Sequence, residues 1–151
     1  MKNNGIFLRR LILLTLTLFL IVTNVSIAFA VEGSILAPKD GDLVDGVYEA
    51  KGTVKDLPKG HVLWIVVRKG KNFWPKEKAF IVGGKKWTAN VDESATRPGG
   101  SYSLVLFSVD SKGQSEISDW YRINEERNSW PAIVGEIKGA NALDMIKVRR
   151  K

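Results

Sequence analysis

Short apolar segments separated by glycine, proline and aspartate run through most of the chain after residue 30. In residues 47–54, apolar or small side chains at positions 48, 50, 52 and 54 alternate with polar side chains at positions 49, 51 and 53. This period of two is typical of a strand with one buried face. Residues 62–67 form a continuous β-branched and aromatic run, which predicts a central strand covered on both faces. Residues 102–109 predict a second long strand of the same kind.

The remaining segments predict shorter elements. Strands are expected at 34–37, 87–91 and 142–149. The stretch 73–82 contains Trp74-Pro75, and because proline cannot donate to a β-ladder, we expect an edge strand or an irregular crossing there.

The apolar period changes after residue 109. Ile117, Trp120 and Tyr121 stand at helical spacing, which predicts a helix over about residues 113–126. Ser111 and Gln114 are spaced as a capping box at its start. About seven short strands with turns between them, and one helix inserted before the last strand, predict an all-β sandwich of the immunoglobulin or fibronectin III kind.

Tryptophans in small sandwiches mostly fill the core. We expect Trp64, Trp87 and Trp120 to be buried there, while the sequence leaves the positions of Trp74 and Trp130 open.

The first thirty residues have the pattern of a targeting segment. A basic start is followed by an apolar run over residues 11–22, and Ala28 and Ala30 supply the small residues of a cleavage site. This pattern predicts a signal helix over residues 1–30 that is removed on export, leaving one domain over residues 31–151 in a secreted, periplasmic or cell-surface protein. The alternative is an uncleaved anchor, because residues 11–31 are just long enough to cross a bilayer.

Composition restricts the available chemistry. The chain has no cysteine and one histidine, which excludes thiolate metal sites, thiol nucleophiles and disulfides. His61 follows a glycine at a strand start, and we interpret it as a strand-edge residue rather than a general base. Two carboxylates could hydrolyse a glycoside, but the acids lie in turns and on the predicted helix, and Asp144 comes nearest to an acid flanked by apolar residues.

Three aspartates in residues 40–45 resemble a calcium loop only faintly, because the glutamate expected at the twelfth position is lysine. We interpret this segment as turns. The sequence therefore predicts no catalytic residue, no metal and no cofactor.

Charge is segregated along the chain. The net charge is +7, and residues 51–86 contain ten basic and two acidic side chains. If the turns at Arg68–Lys71 and Lys85–Lys86 lie at one end of the sandwich, their cations and a nearby tryptophan could bind a ligand. The candidate ligand-binding residues are Arg68, Lys69, Lys71, Trp74, Lys85 and Lys86. The plainer alternative is that these lysines are solvated and prevent edge-to-edge pairing of strands.

Several motifs together resemble a known group of domains. The chain contains Gly52-Thr53-Val54, Leu57-Pro58-Lys59-Gly60-His61, Leu63-Trp64, Trp74-Pro75 and Gly100-x-Tyr102-x-Leu104. This pattern resembles bacterial extracytoplasmic immunoglobulin-like domains, and the resemblance extends over most of residues 34–150. It implies a β-sandwich used as an accessory or binding module, with no catalytic residues to carry over and no shared ligand.

These observations predict a secreted or cell-surface binding module that is not an enzyme. Its expected partner is an anionic envelope polymer, a glycan or a surface protein, and export makes nucleic acid an unexpected partner. The alternative is a structural or protein-partner domain held at the membrane by an uncleaved N-terminal helix. A small hydrolase ranks last.

Overall fold

The computed structural model describes residues 30–151. The predicted signal helix, including Ala28 of its cleavage site, lies outside the described residues, and Ala30 is an exposed residue before the first strand. Within the described part, no helix is both long enough and apolar enough to span a membrane.

The described residues form ten strands and one helix. The elements are β1 (Glu32–Ala37), β2 (Leu43–Val44), β3 (Val47–Lys55), β4 (Val62–Lys69), β5 (Asn72–Lys78), β6 (Phe80–Val82), β7 (Lys86–Asp92), β8 (Ser101–Val109), α1 (Ser111–Arg127), β9 (Ile133–Val134) and β10 (Ala140–Arg150). The strands predicted at 62–67 and 102–109 are confirmed as β4 and β8. The predicted last strand is longer than expected at both ends.

The strands form two sheets. The smaller sheet has the order β1-β3-β7-β6, and the larger has the order β2-β10-β8-β4-β5-β9. All described pairings are antiparallel except that of β2 with β10. A shared apolar core joins the two sheets, so the prediction of an all-β sandwich is confirmed at this level.

The larger sheet is covered on both faces. Leu63, Ile65 and Val67 of β4 enter the core between the sheets, where Trp87 of β7 also lies. The opposite face of β4 presents Val66 to a second apolar cluster that includes residues of the helix. Because alternate side chains of β4 enter different apolar layers, the strand is apolar throughout, as the sequence predicted.

The helix is capped by an aspartate. Asp110 precedes the first turn, and its carboxylate accepts hydrogen bonds from the backbone N–H groups of Lys112 at 2.8 Å and Gly113 at 3.0 Å. The expected capping box of Ser111 and Gln114 is therefore wrong, since the Gln114 amide donates to two carbonyls outside the helix. The backbone hydrogen bond from Gly113 contributes most to lowering the pKa of Asp110, which stays ionised where helix N-termini favour negative charge.

The segment with Trp74-Pro75 divides into two strands in different sheets. It forms β5 in the larger sheet and β6 in the smaller, so the expected irregular crossing is confirmed. The short strand β9 pairs only with Asn72 and Phe73 of β5, and β6 pairs with β7 only as far as Thr88. The rest of β5 and the rest of β7 therefore have open edges on the same side of the sandwich.

Candidate functional site: an aromatic groove

A groove of about 420 Å³ lies along these open edges, where β5 and β7 approach the C-terminal half of α1. Its aromatic lining comes from three elements: Trp74 from β5, Trp120 and Tyr121 from α1, and Trp130 from the loop after the helix. Trp130 is the most open of the four, with 45% of its surface exposed.

Three of these rings form a compact cluster. The centroids of Trp120 and Trp130 are 5.4 Å apart, those of Tyr121 and Trp130 are 5.8 Å apart, and those of Trp120 and Tyr121 are 4.9 Å apart. The ring planes are tilted or edge-on, which is the favoured geometry for aromatic pairs. The helix and the following loop are therefore joined by their aromatic side chains.

The polar atoms of three of the four rings are engaged in hydrogen bonds. The indole N–H of Trp74 donates to the carbonyl oxygen of Trp130 at 3.2 Å, and that of Trp120 donates to the carbonyl oxygen of Pro131 at 2.9 Å. The hydroxyl of Tyr121 lies 2.9 Å from the carbonyl oxygen of Pro75, and burial raises the pKa of this phenol to about 12. The rings are thus held in place, and their faces are what the groove offers to a ligand.

The rim of the groove is polar. The Glu77 carboxylate accepts a hydrogen bond from the backbone N–H of Asn90, a residue that pairs with Glu49 of β3 but has no partner on its other side, because β6 begins only at Phe80 opposite Thr88. The Asp92 carboxylate accepts from the backbone N–H of Ser94 at 3.0 Å and from its hydroxyl at 2.6 Å. These hydrogen bonds lower the pKa of Asp92, so it is ionised at neutral pH.

The lysine at the rim is bound to a buried carboxylate. Lys76 Nζ lies 2.6 Å from Glu93, which also contacts Lys69 Nζ at 2.9 Å and accepts a hydrogen bond from the Thr96 hydroxyl at 2.7 Å. Glu93 is 6% exposed. Burial alone would raise the pKa of Glu93, but the hydrogen bonds from Lys76, Lys69 and Thr96 outweigh it and the pKa is lowered. Lys76 and Lys69 therefore share the single negative charge of Glu93.

The first group of predicted ligand-binding residues lies around the β4–β5 turn. Arg68 donates to the carbonyl oxygen of Gly70 at 2.8 Å, and its guanidinium lies over the Phe73 ring at 5.6 Å. Lys71 is exposed in the turn itself. Lys69 forms an ion pair with Glu93, and its Nζ also lies 5.6 Å from the centre of a Trp74 ring.

The second group, Lys85 and Lys86, lies at the opposite end of the sandwich. Lys86 begins β7, whereas Lys69 contacts Glu93, the residue that follows the last residue of β7. A seven-residue strand extends for about 20 Å. The expectation that the two basic turns form one face with Trp74 is therefore wrong, because β7 separates them along its length.

The tryptophan predictions have a mixed outcome. Trp87 is fully buried, as expected, and it packs so closely on β3 that a Cβ at Gly52 would lie 2.7 Å from its ring. Trp64 is half-buried beside the helix rather than fully enclosed. Trp120 was expected in the core and instead lines the groove. Its helical spacing with Ile117 predicts that it faces the sheet, but its indole N–H instead donates to the carbonyl oxygen of Pro131 in the loop after the helix.

A histidine–serine pair was not predicted. His61 Nδ1 lies 3.0 Å from the Oγ of Ser108, which is 1% exposed and stands between the sheets on β8. A nucleophile must reach its substrate, and this hydroxyl is closed off by the core. The Asp110 carboxylate nearby is occupied as the helix cap. The pair therefore joins the β3–β4 loop to β8 and does not form a site for nucleophilic catalysis.

The other acidic candidates also have structural partners. The Asp144 carboxylate accepts the backbone N–H of Ile35 at 2.7 Å and that of Met145 at 2.8 Å, which ties β1 to β10. Asp40 accepts the backbone N–H of Lys147 at 2.7 Å. Within residues 30–151, no group of three or more acidic, histidine or cysteine side chains is placed to hold a metal ion.

Comparisons with known proteins add little to this picture. No family model matches the chain, and no curated protein matches it. The chain is similar to part of a solved structure, the X-ray structure of the endo-β-1,4-mannanase from Thermotoga petrophila, with 17% identity and a TM-score of 0.48. The match covers 85% of this chain and 21% of the mannanase chain, so this chain spans about a fifth of that protein. A likeness this distant carries no argument about activity.

Proposed function

We propose that the chain is an exported, non-enzymatic binding module whose ligand is a glycan held in the aromatic groove. The observation that carries this proposal is the convergence of three tryptophans and a tyrosine on one open groove. The polar atoms of Trp74, Trp120 and Tyr121 are engaged in hydrogen bonds, and all four residues line the cavity. Ligand sites of this kind combine apolar and aromatic walls with a few polar groups, and the C–H face of a pyranose ring fits flat against an indole.

Other features support the same proposal. The pattern of residues 1–30 favours export, which would bring the groove into contact with extracellular or envelope polysaccharides. The two-sheet architecture is compatible with an immunoglobulin-like domain over residues 31–151, and this finer assignment is part of the proposal. Among the partners expected from the sequence, a glycan is favoured over an anionic polymer because the basic turns lie at opposite ends.

The proposal is tested with a panel of soluble polysaccharides, including glucomannan, xylan and hydroxyethylcellulose. Affinity gel electrophoresis of the exported protein identifies a binder, and titration calorimetry measures its Kd. We expect Trp130→Ala to weaken binding about tenfold or more, because a stacked aromatic pair contributes about 0.5–1.5 kcal/mol beyond the area it buries.

The matched control is Leu36→Ala, which removes a similarly exposed apolar side chain from β1 at the far edge of the smaller sheet. Thermal melts of both variants check that they fold. The proposal fails if no polysaccharide binds, or if binding survives in Trp130→Ala and is lost in Leu36→Ala.

A further inference from the structure

We infer that the groove selects uncharged saccharide chains over acidic ones, and that Glu77 and Asp92 determine this selectivity. The inference rests on the proposed function, because it names the ligand class of the same groove. It replaces the anionic polymer that the basic composition of residues 51–86 suggested.

The charges at the rim carry the argument. Glu77 on β5 of the larger sheet and Asp92 on β7 of the smaller sheet present two carboxylates to the groove. Of the described residues that line the groove, Lys76 is the one basic side chain, and its Nζ is committed to Glu93 at 2.6 Å. Lys69, which also lies close to Trp74, is bound to the same carboxylate at 2.9 Å. Glu93 is a single carboxylate shared by two ammonium groups, so with Glu77 and Asp92 the three carboxylates exceed the two ammonium groups by one, and a ligand in the groove meets a rim of net negative charge.

An uncharged sugar suits this rim. Carboxylates only accept hydrogen bonds, and sugar hydroxyls can supply the donors. The Asn90 side chain beside them, exposed at the rim, can both donate and accept. A uronate or a phosphate would instead place a negative charge beside two like charges, and like charges repel. Aromatic stacking would then supply the affinity, and the rim would supply the selectivity.

The test uses two polymers with the same backbone, uncharged hydroxyethylcellulose and acidic carboxymethylcellulose. We expect the native protein to bind the acidic polymer at least about tenfold more weakly at low salt. The difference should narrow as salt screens the rim, since exposed charges lose most of their interaction beyond about 10 Å at 0.1 M salt.

The variant Glu77→Gln/Asp92→Asn removes both charges and keeps side-chain oxygens that can accept the hydrogen bonds from Asn90 and Ser94. We expect it to reduce the ratio of the two affinities to less than about threefold. The control is Asp56→Asn, because Asp56 is an exposed acid at the end of the sandwich where Lys85 lies, away from the groove. The control should keep the native ratio.

The outcomes separate this inference from the proposed function. If both polymers bind equally and Trp130→Ala abolishes binding, the groove is the site but the selectivity is overturned. If amine-bearing chitosan binds more tightly than either polymer, the groove prefers cations and the inference is also overturned. If carboxymethylcellulose binds best and Lys85→Glu/Lys86→Glu abolishes that binding, the basic end is the site and both proposals fail. Both also fail if the native protein binds neither these two polymers nor any other polysaccharide of the panel.

Discussion

At the scale of single residues, Glu93 connects the two sheets near the groove. It follows β7 of the smaller sheet, and it binds Lys69 of β4 and Lys76 of β5 in the larger sheet. Burying a carboxylate is costly, and here the cost is offset by two ammonium groups and the Thr96 hydroxyl. The sequence predicted Lys69 as a ligand-binding residue, because composition cannot show that its ammonium group forms an ion pair with a buried acid.

We predict that Glu93→Gln lowers the free energy of unfolding by about 2–3 kcal/mol at pH 7, because Lys76 loses its counter-charge while it remains largely covered. Urea denaturation measures the loss. Glu49→Gln is the control, since its partner Lys51 is exposed and the change should be about 0.5 kcal/mol or less. Equal losses in the two variants would contradict a special role for Glu93.

The lowered pKa of Glu93 predicts how the difference in stability between the native protein and Glu93→Gln depends on pH. A carboxyl group with a folded pKa below its ordinary value of 4.5 stabilises the fold fully above that value. The contribution is lost as the pH falls through the folded pKa. The difference in stability between the native protein and Glu93→Gln should therefore be constant near neutral pH and shrink below about pH 4.5. A difference that grows on acidification would contradict this assignment.

At the scale of elements, the helix positions half of the aromatic groove. Ile117 is fully buried and fixes α1 on the outer face of the larger sheet, while Trp120 and Tyr121 lie one turn further on. The helical period predicted that this segment packs on the sheet. It could not predict that Trp120, one turn beyond Ile117, would line an open groove.

We predict that Ile117→Ala lowers the free energy of unfolding by about 2–4 kcal/mol, because it leaves a cavity under the helix. Binding in the groove should weaken as well, since the positions of Trp120 and Tyr121 depend on how the helix packs on the sheet. Urea denaturation and the polysaccharide titration measure the two effects, with exposed Ser118→Ala as the control. A lower stability with unchanged binding would show that the groove does not depend on the packing of α1 against the larger sheet.

At the scale of the whole molecule, the charge of +7 does not make one basic surface. β7 extends along the sandwich, so the turn at its start and the turn that reaches its end are about 20 Å apart. Segregation of charge along the sequence is therefore not segregation in space. The overall charge affects solubility and long-range attraction more directly than it defines a site.

We predict that the protein recovered from the medium or envelope of an expressing bacterium begins at Val31. Cleavage after Ala30 is what the small residues at Ala28 and Ala30 favour. Intact-mass measurement or N-terminal sequencing decides this. A chain that retains Met1 and stays with the membrane would instead support the uncleaved anchor.

The sequence by itself determined which segments become the main strands and the helix, and it placed Trp87 in the core. These features depend on local periodicity, which reports how many faces of an element are buried. Only the tertiary structure decided which strands are neighbours, and therefore that the two basic turns lie apart. The pairing of Lys69 and Lys76 with Glu93, and the convergence of Trp74, Trp120 and Trp130, also belong to the tertiary structure. The groove exists because β6 and β9 are too short to cover the edges beside them, and the length of a strand pairing depends on contacts between residues far apart in the chain.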